Sequence, residues 1–373
     1  MKITHVVENL NRGGLERVVI DLAHAQQASG DLPRVVCLFE SGTLAHELTA
    51  KGIDVVACHK GAGFDLGALR RLRRALAADA GEAVVHTHNL IAHDYAALAL
   101  LGLPRYRLIN TRHGMGGTPV ARLRGALYRL SMRWTDHVVA VCEAARRNLV
   151  EREGLPANKV VSVPNGIPVA TFTPASDAAR RRLAEHEGLA PTTRMVGFVG
   201  RLNWAKDLPS MLRAFALLQQ RRPDTALILV GDGALHEDLT TLAASEGIAE
   251  CVRFLGDRSD VRDLLQAFDV FAMSSVSEGY SIALLEACAT ALPIVATAVG
   301  GNAEIAVDGV NGRIVPVSDP RAFADALEFV LGDPARAIAM GHRGRDWALE
   351  QATIARMHAR YRALYERPVK GLI

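Results

Sequence analysis

The chain is poor in cysteine and in aromatic rings. Its 373 residues include five cysteines, and Phe, Trp and Tyr together make up 5%. Cys37, Cys58, Cys142, Cys251 and Cys288 are scattered, none forms a CxxC pair, and the count is odd. That usage excludes a disulfide scaffold and predicts reduced, mostly buried thiols of a cytosolic protein. No apolar run reaches the ~18 residues of a membrane span. The N-terminus, Met1-Lys2-Ile3-Thr4-His5-Val6-Val7, enters a strand directly and has no signal-peptide profile, so cytoplasmic residence is expected. HExxH, Cys/His clusters and acidic DxD pairs are all missing, and no metal site is expected. There is no exact internal repeat and no low-complexity tract.

What is present points to an α/β protein. Apolar residues make up 49% of the chain and glycine is abundant, at 32 residues. The length is too great for one small core, so two domains are expected. The formal net charge is only +3, but it is unevenly spread. Residues 1–165 carry 21 Lys+Arg against 15 Asp+Glu, a balance of +6, and the remainder carry 22 against 25, a balance of −3. A basic first half suits an anionic partner or a membrane surface.

Buried strands alternate with amphipathic helices almost throughout, as βαβ units on a parallel sheet require. The first-half runs are Ile3–Val7, Val35–Phe39, Val55–Cys58, Val84–His86, Arg107–Asn110, His137–Val141 and Val160–Val163, with helices such as Leu15–Gln27 and Ala68–Ala78 between them. Turn formers interrupt the rhythm at Pro164-Asn165-Gly166-Ile167-Pro168 and Thr173-Pro174. It resumes with Met195–Gly200, Ala226–Gly231, Val252–Leu255, Val270–Ser274, Ile294–Thr297 and Gly312–Val315, and ends in helices with Arg-rich faces from Pro320 to Glu366. Two doubly wound domains follow, hinged near residue 166. Ligands are expected at the C-terminal ends of their strands, in the cleft between them.

The most informative segment is Glu278-Gly279-Tyr280-Ser281-Ile282-Ala283-Leu284-Leu285-Glu286. A carboxylate precedes residues suited to opening a helix, and a second carboxylate follows eight positions later on that helix. The helix N-terminus would sit at a sheet edge, where its N–H groups and dipole attract an anion such as phosphate. Carboxylates on either side can bond sugar hydroxyls, so the arrangement suits a nucleotide-sugar. In Gly200-Arg201-Leu202-Asn203-Trp204-Ala205-Lys206-Asp207, two cations five apart can pinch a diphosphate, or can simply be solvated.

Other motifs leave alternatives open. Gly13-Gly14, in Asn11-Arg12-Gly13-Gly14-Leu15-Glu16-Arg17, permits close backbone approach to a ligand or makes an ordinary βα turn. Gly231-Asp232-Gly233 is half a dinucleotide fingerprint, with His236 where the third glycine belongs. His86 and His88, two apart at a strand end, are expected on opposite faces unless the strand has stopped, and His93 and His113 are further histidine candidates. His113, in Thr111-Arg112-His113-Gly114-Met115-Gly116-Gly117, suits a polar role as well as a structural one. The stretch from Arg122 to Trp134 reads as a helix whose arginines at 122, 129 and 133 could rest on an anionic membrane, or which packs on its own sheet.

Taken in order, these motifs resemble the retaining glycosyltransferases of family 4, which have the GT-B fold. The resemblance covers nearly the whole chain: Gly13-Gly14, His113-Gly114, Pro164-Asn165-Gly166, Gly200-Arg201 with Lys206, Gly231-Asp232-Gly233, Phe254-Leu255-Gly256, Glu278 with Glu286, and Gly300-Gly301 with Glu304 and Asp308-Gly309. It implies two Rossmann-like domains facing across a cleft: residues 1–165 for the acceptor, 166–350 for the nucleotide-sugar, and 351–373 as a helical segment packing back toward the first. Arg201 and Lys206 would neutralise the diphosphate, and Glu286 would hold the ribose. Glu278 would contact the transferred sugar, assisted by N–H groups of Gly279, Tyr280 and Ser281. His113 would stand beside the donor sugar and reactive centre, Gly13 and Gly14 would line the diphosphate and acceptor side, and Leu255, Gly256 and Arg258 belong to the base-binding stretch.

The implied activity is metal-independent hexosyl transfer, with no cofactor, from a UDP- or GDP-sugar to a glycan or lipid-linked acceptor. Surface polysaccharide or lipopolysaccharide assembly at the cytoplasmic membrane face is the implied setting, and no nucleic acid is involved. A sugar-nucleotide epimerase of the same fold, a nucleotide-dependent oxidoreductase and a two-lobed binding protein are the competing readings. The last two lack, respectively, the third glycine and a signal peptide.

Overall fold

The structure is a computed structural model that describes residues 1–78, 83–103, 106–115 and 122–366, and omits the side chains of residues 122–124, 126 and 127. Gly116, Gly117 and the side chains of Arg122 and Arg124 therefore lie outside the described residues.

Each predicted apolar run forms a strand, with ends displaced by up to three residues. The first seven are β1 (Lys2–Val7), β2 (Leu32–Cys37), β3 (Asp54–Ala57), β4 (Ala83–His88), β5 (Tyr106–Arg112), β6 (His137–Ala140) and β7 (Val160–Ser162). They pair in parallel in the order β3-β2-β1-β4-β5-β6-β7. The next six are β8 (Arg194–Val199), β9 (Thr225–Val230), β10 (Val252–Gly256), β11 (Val270–Met273), β12 (Ile294–Thr297) and β13 (Gly312–Val315). These form a second parallel sheet in the order β10-β9-β8-β11-β12-β13. All six residues of β4 and of β9 are buried, as central strands covered by helices on both faces must be.

The chain divides into two compact units. One is Met1–Gly166 together with the C-terminal helix Ile354–Glu366, and the other is Ile167–Thr353. In the first unit, helix Gly14–Ala28 buries Val18, Val19, Ile20, Leu22 and Ala23, and also the amide of Gln26. The C-terminal helix packs against it, burying Tyr361, Leu364 and Tyr365. Asp31 pins this junction, 2.8 Å from the Met1 ammonium and 3.8–3.9 Å from Arg362 and His358.

In each sheet the winding direction reverses once, between β1 and β4 and again between β8 and β11. Loops leaving neighbouring strands on opposite sides of such a reversal open a crevice at the strands' C-terminal ends. The loops after β1 and β8 carry Gly13-Gly14 and Arg201/Lys206, and the loop after β11 carries Glu278. Topology alone therefore puts the candidate residues at switch points.

One expectation is overturned. β4 continues through His88, and residues two apart on a strand share a face, so His86 and His88 lie together. Their ring centroids are 4.3 Å apart. The opposite-face expectation mistook the strand's period of two.

Candidate active site

In the C-terminal unit the loop after β8 is anchored by one apolar residue. Leu202 is fully buried, and its N–H bonds the Asp232 carbonyl at 3.0 Å while its own carbonyl accepts from Leu235 N–H at 3.1 Å. Arg201, just before it, is exposed and has no ion-pair partner among the described residues. A 3-10 turn, Trp204–Lys206, then runs into Asp207, which takes a left-handed backbone (φ 44°, ψ 46°) and accepts a hydrogen bond from Ser318 Oγ at 2.8 Å. That turn swings the chain into helix Leu208–Arg221 and directs Lys206 back over the sheet edge.

The loop after β11 meets it. Val276 N–H donates to the Ala205 carbonyl at 2.9 Å, and Ser274 Oγ donates to the carbonyls of Lys206 and Asp207 at 2.7 and 3.0 Å. Lys206 Nζ thereby reaches Glu278 Oε1 at 2.5 Å, and Ser275 Oγ donates to the same oxygen at 2.6 Å. The pair is mostly shielded, with the Lys206 side chain 17% and the Glu278 side chain 10% exposed. An ammonium has three donors, so Lys206 can hold Glu278 and still present N–H bonds to an anion.

Glu278 to Ser281 lead into helix Ile282–Ala289, capped by the Ser281 hydroxyl, which accepts from Leu284 N–H. Its first-turn N–H groups and positive dipole end face the same loop cluster. Tyr280 is buried, and Glu286 is half-buried one turn into the helix. Gly300 makes this crowding possible: it has φ 50°, and a Cβ there would stand 1.8 Å from the Glu278 carbonyl oxygen. The Gly231 turn has a similar cause, since a Cβ would stand 2.0 Å from the Gly200 carbonyl oxygen. Half a dinucleotide fingerprint is thus explained by packing of one loop on another. The helix there begins only at His236, three residues later than the motif suggests.

Leu255 lies in β10 and Gly256 ends it, its carbonyl accepting from Gly231 N–H at 2.7 Å. Arg258 is committed to Asp260 through a two-pronged pair at 2.6 and 2.8 Å, which lowers the carboxyl's affinity for protons. Lys206, Glu278, Gly279, Tyr280, Ser281 and Glu286 are brought together, with Arg201 on the same loop as Lys206. Two supporting residues, Ser275 and Ser274, were not singled out from sequence, although their place at a strand end beside Glu278 was a usable signal.

In the N-terminal unit, Gly13 is extended (φ −177°) and caps helix Gly14–Ala28, with Gly14 exposed. His113 follows β5 and is half-buried, and its Nε2 lies 2.9 Å from Nδ1 of His88. Desolvation lowers its pKa to about 3, lowers those of His5 and His93 to about 4 and about 3, and holds His86 and His88 well below the ordinary value. All five are neutral imidazoles at pH 7. His5, His86 and His88 are close enough to ligate one metal ion. Their nitrogens are already matched to hydrogen-bond partners, so the donor set is spent within the protein.

Residues 12–171 match Glycosyltransferase Family 4, and residues 179–347 match Glycosyl transferases group 1. A GDP-mannose-dependent alpha-(1-6)-phosphatidylinositol monomannoside mannosyltransferase of Mycolicibacterium smegmatis (strain ATCC 700084 / mc(2)155) is 36% identical over 273 residues, 68% of this chain and 70% of that protein. A D-inositol 3-phosphate glycosyltransferase of Kineococcus radiotolerans (strain ATCC BAA-149 / DSM 14245 / SRS30216) is 32% identical over 338 residues, 85% of this chain and 72% of that protein. Among solved structures, Anabaena Alr3699/HepE in complex with UDP-glucose superimposes with a TM-score of 0.86 at 21% identity, covering 97% of this chain and 98% of that one. At that identity the likeness speaks for the fold, which is GT-B.

Proposed function

Since the chain belongs to the glycosyl transferases group 1, we propose that it moves a hexose from a UDP- or GDP-linked donor to a glycan or lipid-linked acceptor, with retention of anomeric configuration. The observation carrying this reading is the Lys206–Glu278 pair at the N-terminus of helix Ile282–Ala289. It combines a cation for phosphate with a carboxylate for hydroxyls. The mannosyltransferase relative names GDP-mannose as its donor and the Anabaena structure holds UDP-glucose, which supports a nucleoside-diphosphate sugar here without choosing its base.

Breaking the sugar–phosphate bond builds negative charge on the departing diphosphate. Arg201, Lys206 and the helix dipole oppose that charge, and fixed donors need no reorganisation as it grows. These groups do the task that a metal performs elsewhere, so the reaction is proposed to run without a metal or other cofactor. Glu286 would take the ribose hydroxyls, Glu278 the transferred sugar, and Gly279, Tyr280 and Ser281 the phosphates. Gly13 and Gly14 would line the diphosphate and acceptor side, His113 would stand at the reacting sugar, and Leu255, Gly256 and Arg258 at the base. The acceptor hydroxyl would attack the face the diphosphate leaves, with a phosphate oxygen taking its proton.

We place the enzyme at the cytoplasmic face of a membrane, in surface polysaccharide or lipopolysaccharide assembly. Among the described residues no helix is long and apolar enough to cross a membrane. Arg129, Leu130 and Arg133 are exposed on one stretch of the basic first half, where an anionic lipid surface could attract them. Stronger flotation with anionic than with neutral vesicles, lost at high salt, is expected, and equal flotation would remove this part.

The test of the main reading is a thermal-shift panel of UDP, GDP, ADP and their sugars, followed by turnover with the stabilising donor. A ligand bound only to the folded state raises the melting temperature. No shift from any nucleoside diphosphate would refute the assignment.

A further inference from the structure

The N-terminal unit holds an unbroken hydrogen-bonded line of side chains running inward from the half-buried His113. His88 Nδ1 stands 2.9 Å from His113 Nε2, and His88 Nε2 stands 3.0 Å from His5 Nδ1. His5 Nε2 meets the carboxamide oxygen of Gln26 at 2.8 Å. The same carboxamide donates from its nitrogen to Tyr365 Oη at 3.4 Å, and Tyr365 Oη is 2.8 Å from His86 Nδ1. His86 Nε2 then reaches Thr111 Oγ1 at 2.7 Å. His5, Gln26 and His86 are completely buried, and His88 and Tyr365 nearly so.

A carboxamide oxygen can only accept. His5 must therefore carry its proton on Nε2, which leaves Nδ1 as an acceptor. His88 must in turn donate from Nε2 and accept at Nδ1, so the proton between His88 and His113 belongs to His113 Nε2. Each imidazole is neutral, because burial removes the water that would stabilise a charge and, among the described residues, no carboxylate bonds any of these rings. One amide orientation then sets the proton position on three rings. His113 Nδ1 is left as a bare lone pair with no partner among the described residues.

We propose that Gln26, oriented by Tyr365 of the C-terminal helix, is a positioning residue that locks His113 as a neutral Nε2–H imidazole offering Nδ1 to accept a hydrogen bond from a substrate hydroxyl. This role rests on the glycosyl-transfer reading above, whereas the proton positions do not. It gives the buried polar line a use beyond filling a core, and makes His113 unable to act as a general acid. Removing the Gln26 oxygen should reverse the line. His5 Nε2–H would be a buried donor without a partner, so each proton would move to the other nitrogen and His113 would present Nδ1–H instead.

The experiment is two-bond 1H–15N correlation on histidine-labelled full-length protein at pH 7.5, with His113 assigned by loss of its signals in His113→Gln. Wild type should show His5, His88 and His113 neutral and protonated on Nε2. Gln26→Leu should move His113 to Nδ1–H and lower kcat at least tenfold while KM for the nucleotide-sugar changes less than threefold. Tyr365→Phe, which keeps the ring, should give mixed tautomers, and it serves if Gln26→Leu does not fold. Wild-type His113 protonated on Nδ1, or unchanged tautomers in both variants, would overturn the proposal. So would stoichiometric Zn2+ uptake by His5, His86 and His88, because a metal would take lone pairs the line requires. The spectra need no substrate: correct tautomers in a protein that transfers no sugar would indict the proposed function and not the line.

Discussion

In the N-terminal unit the buried polar side chains include His5, His86, His88, His93, Gln26, Asp31 and Arg112; in the C-terminal unit those described are Ser, Thr and Asn only. The sheets are wound alike, so architecture does not explain the contrast. The C-terminal unit keeps its core apolar and holds its shielded charges in pairs, Lys206 with Glu278 in the loops over β8 and β11 and Asp269 with Arg180 and Arg194 beside the start of β8. The N-terminal unit carries hydrogen-bonding chemistry from a sheet edge down to its last helix. A buried polar line is costly when one member is left unsatisfied, whereas an apolar core has no hydrogen bonds to lose and responds to changes of volume. The two units should therefore fail in different ways.

The largest effect is expected where the C-terminal unit concentrates its charge. Lys206→Ala should lower kcat/KM by about 100-fold or more and weaken nucleoside-diphosphate binding at least tenfold by calorimetry. It leaves the Glu278 carboxylate with Ser275 alone. Glu286→Ala should weaken nucleotide binding without changing Lys206 or Glu278, while His113→Ala should chiefly lower turnover. Wild-type nucleotide affinity in either of the first two variants would remove the site assignment.

Acid should separate the units next. Unfolded imidazoles bind protons near pH 6.5, whereas His5 holds off to about 4 and His93 and His113 to about 3. Between those values the unfolded state binds more protons, so stability is intact above pH 6.5 and falls as pH drops below it. Each such histidine contributes up to about 1.4 kcal/mol per pH unit. Hydrogen exchange at pH 5 should show β1, β4 and β5 losing protection before β8, β9 and β11. Simultaneous loss would break the comparison.

Within the C-terminal unit a backbone test is sharper than a side-chain one. Gly300→Ala should cost about 2 kcal/mol or more, because it combines a left-handed backbone with a clash against the Glu278 carbonyl. Gly309→Ala, with φ 73° and open space around its Cβ, should cost about 1 kcal/mol. The smallest effect belongs to Trp204→Ala, whose side chain is 71% exposed, with a change within about 0.5 kcal/mol of stability. Melting temperatures check all three.

Much of this was legible along the chain, because the signals are local. Thirteen strands followed from apolar runs between turn formers. Glu278, its helix and Glu286 followed from one nine-residue segment, and Lys206 from a loop after a strand. The hydrogen-bonded line was not legible, since His5, Gln26, His88 and Tyr365 are separated by 21, 83 and 339 positions across its links. Arg258 was legible as a base-binding candidate, but not as the partner of Asp260, whose grip on it depends on the local turn.

Sequence by itself determined which segments become strands and helices, and hence that two parallel sheets would each present loops at a switch point. Apolar periodicity and turn chemistry act over a few residues, and no partner from afar is needed to read them. Only the tertiary structure decided that Lys206 would close on Glu278, that Gly300 must lack a side chain, and that a tyrosine from the last helix would complete a line begun at His5. Those outcomes depend on atoms meeting at 2.5–3.4 Å after the chain has folded, a distance that no spacing along the polymer encodes.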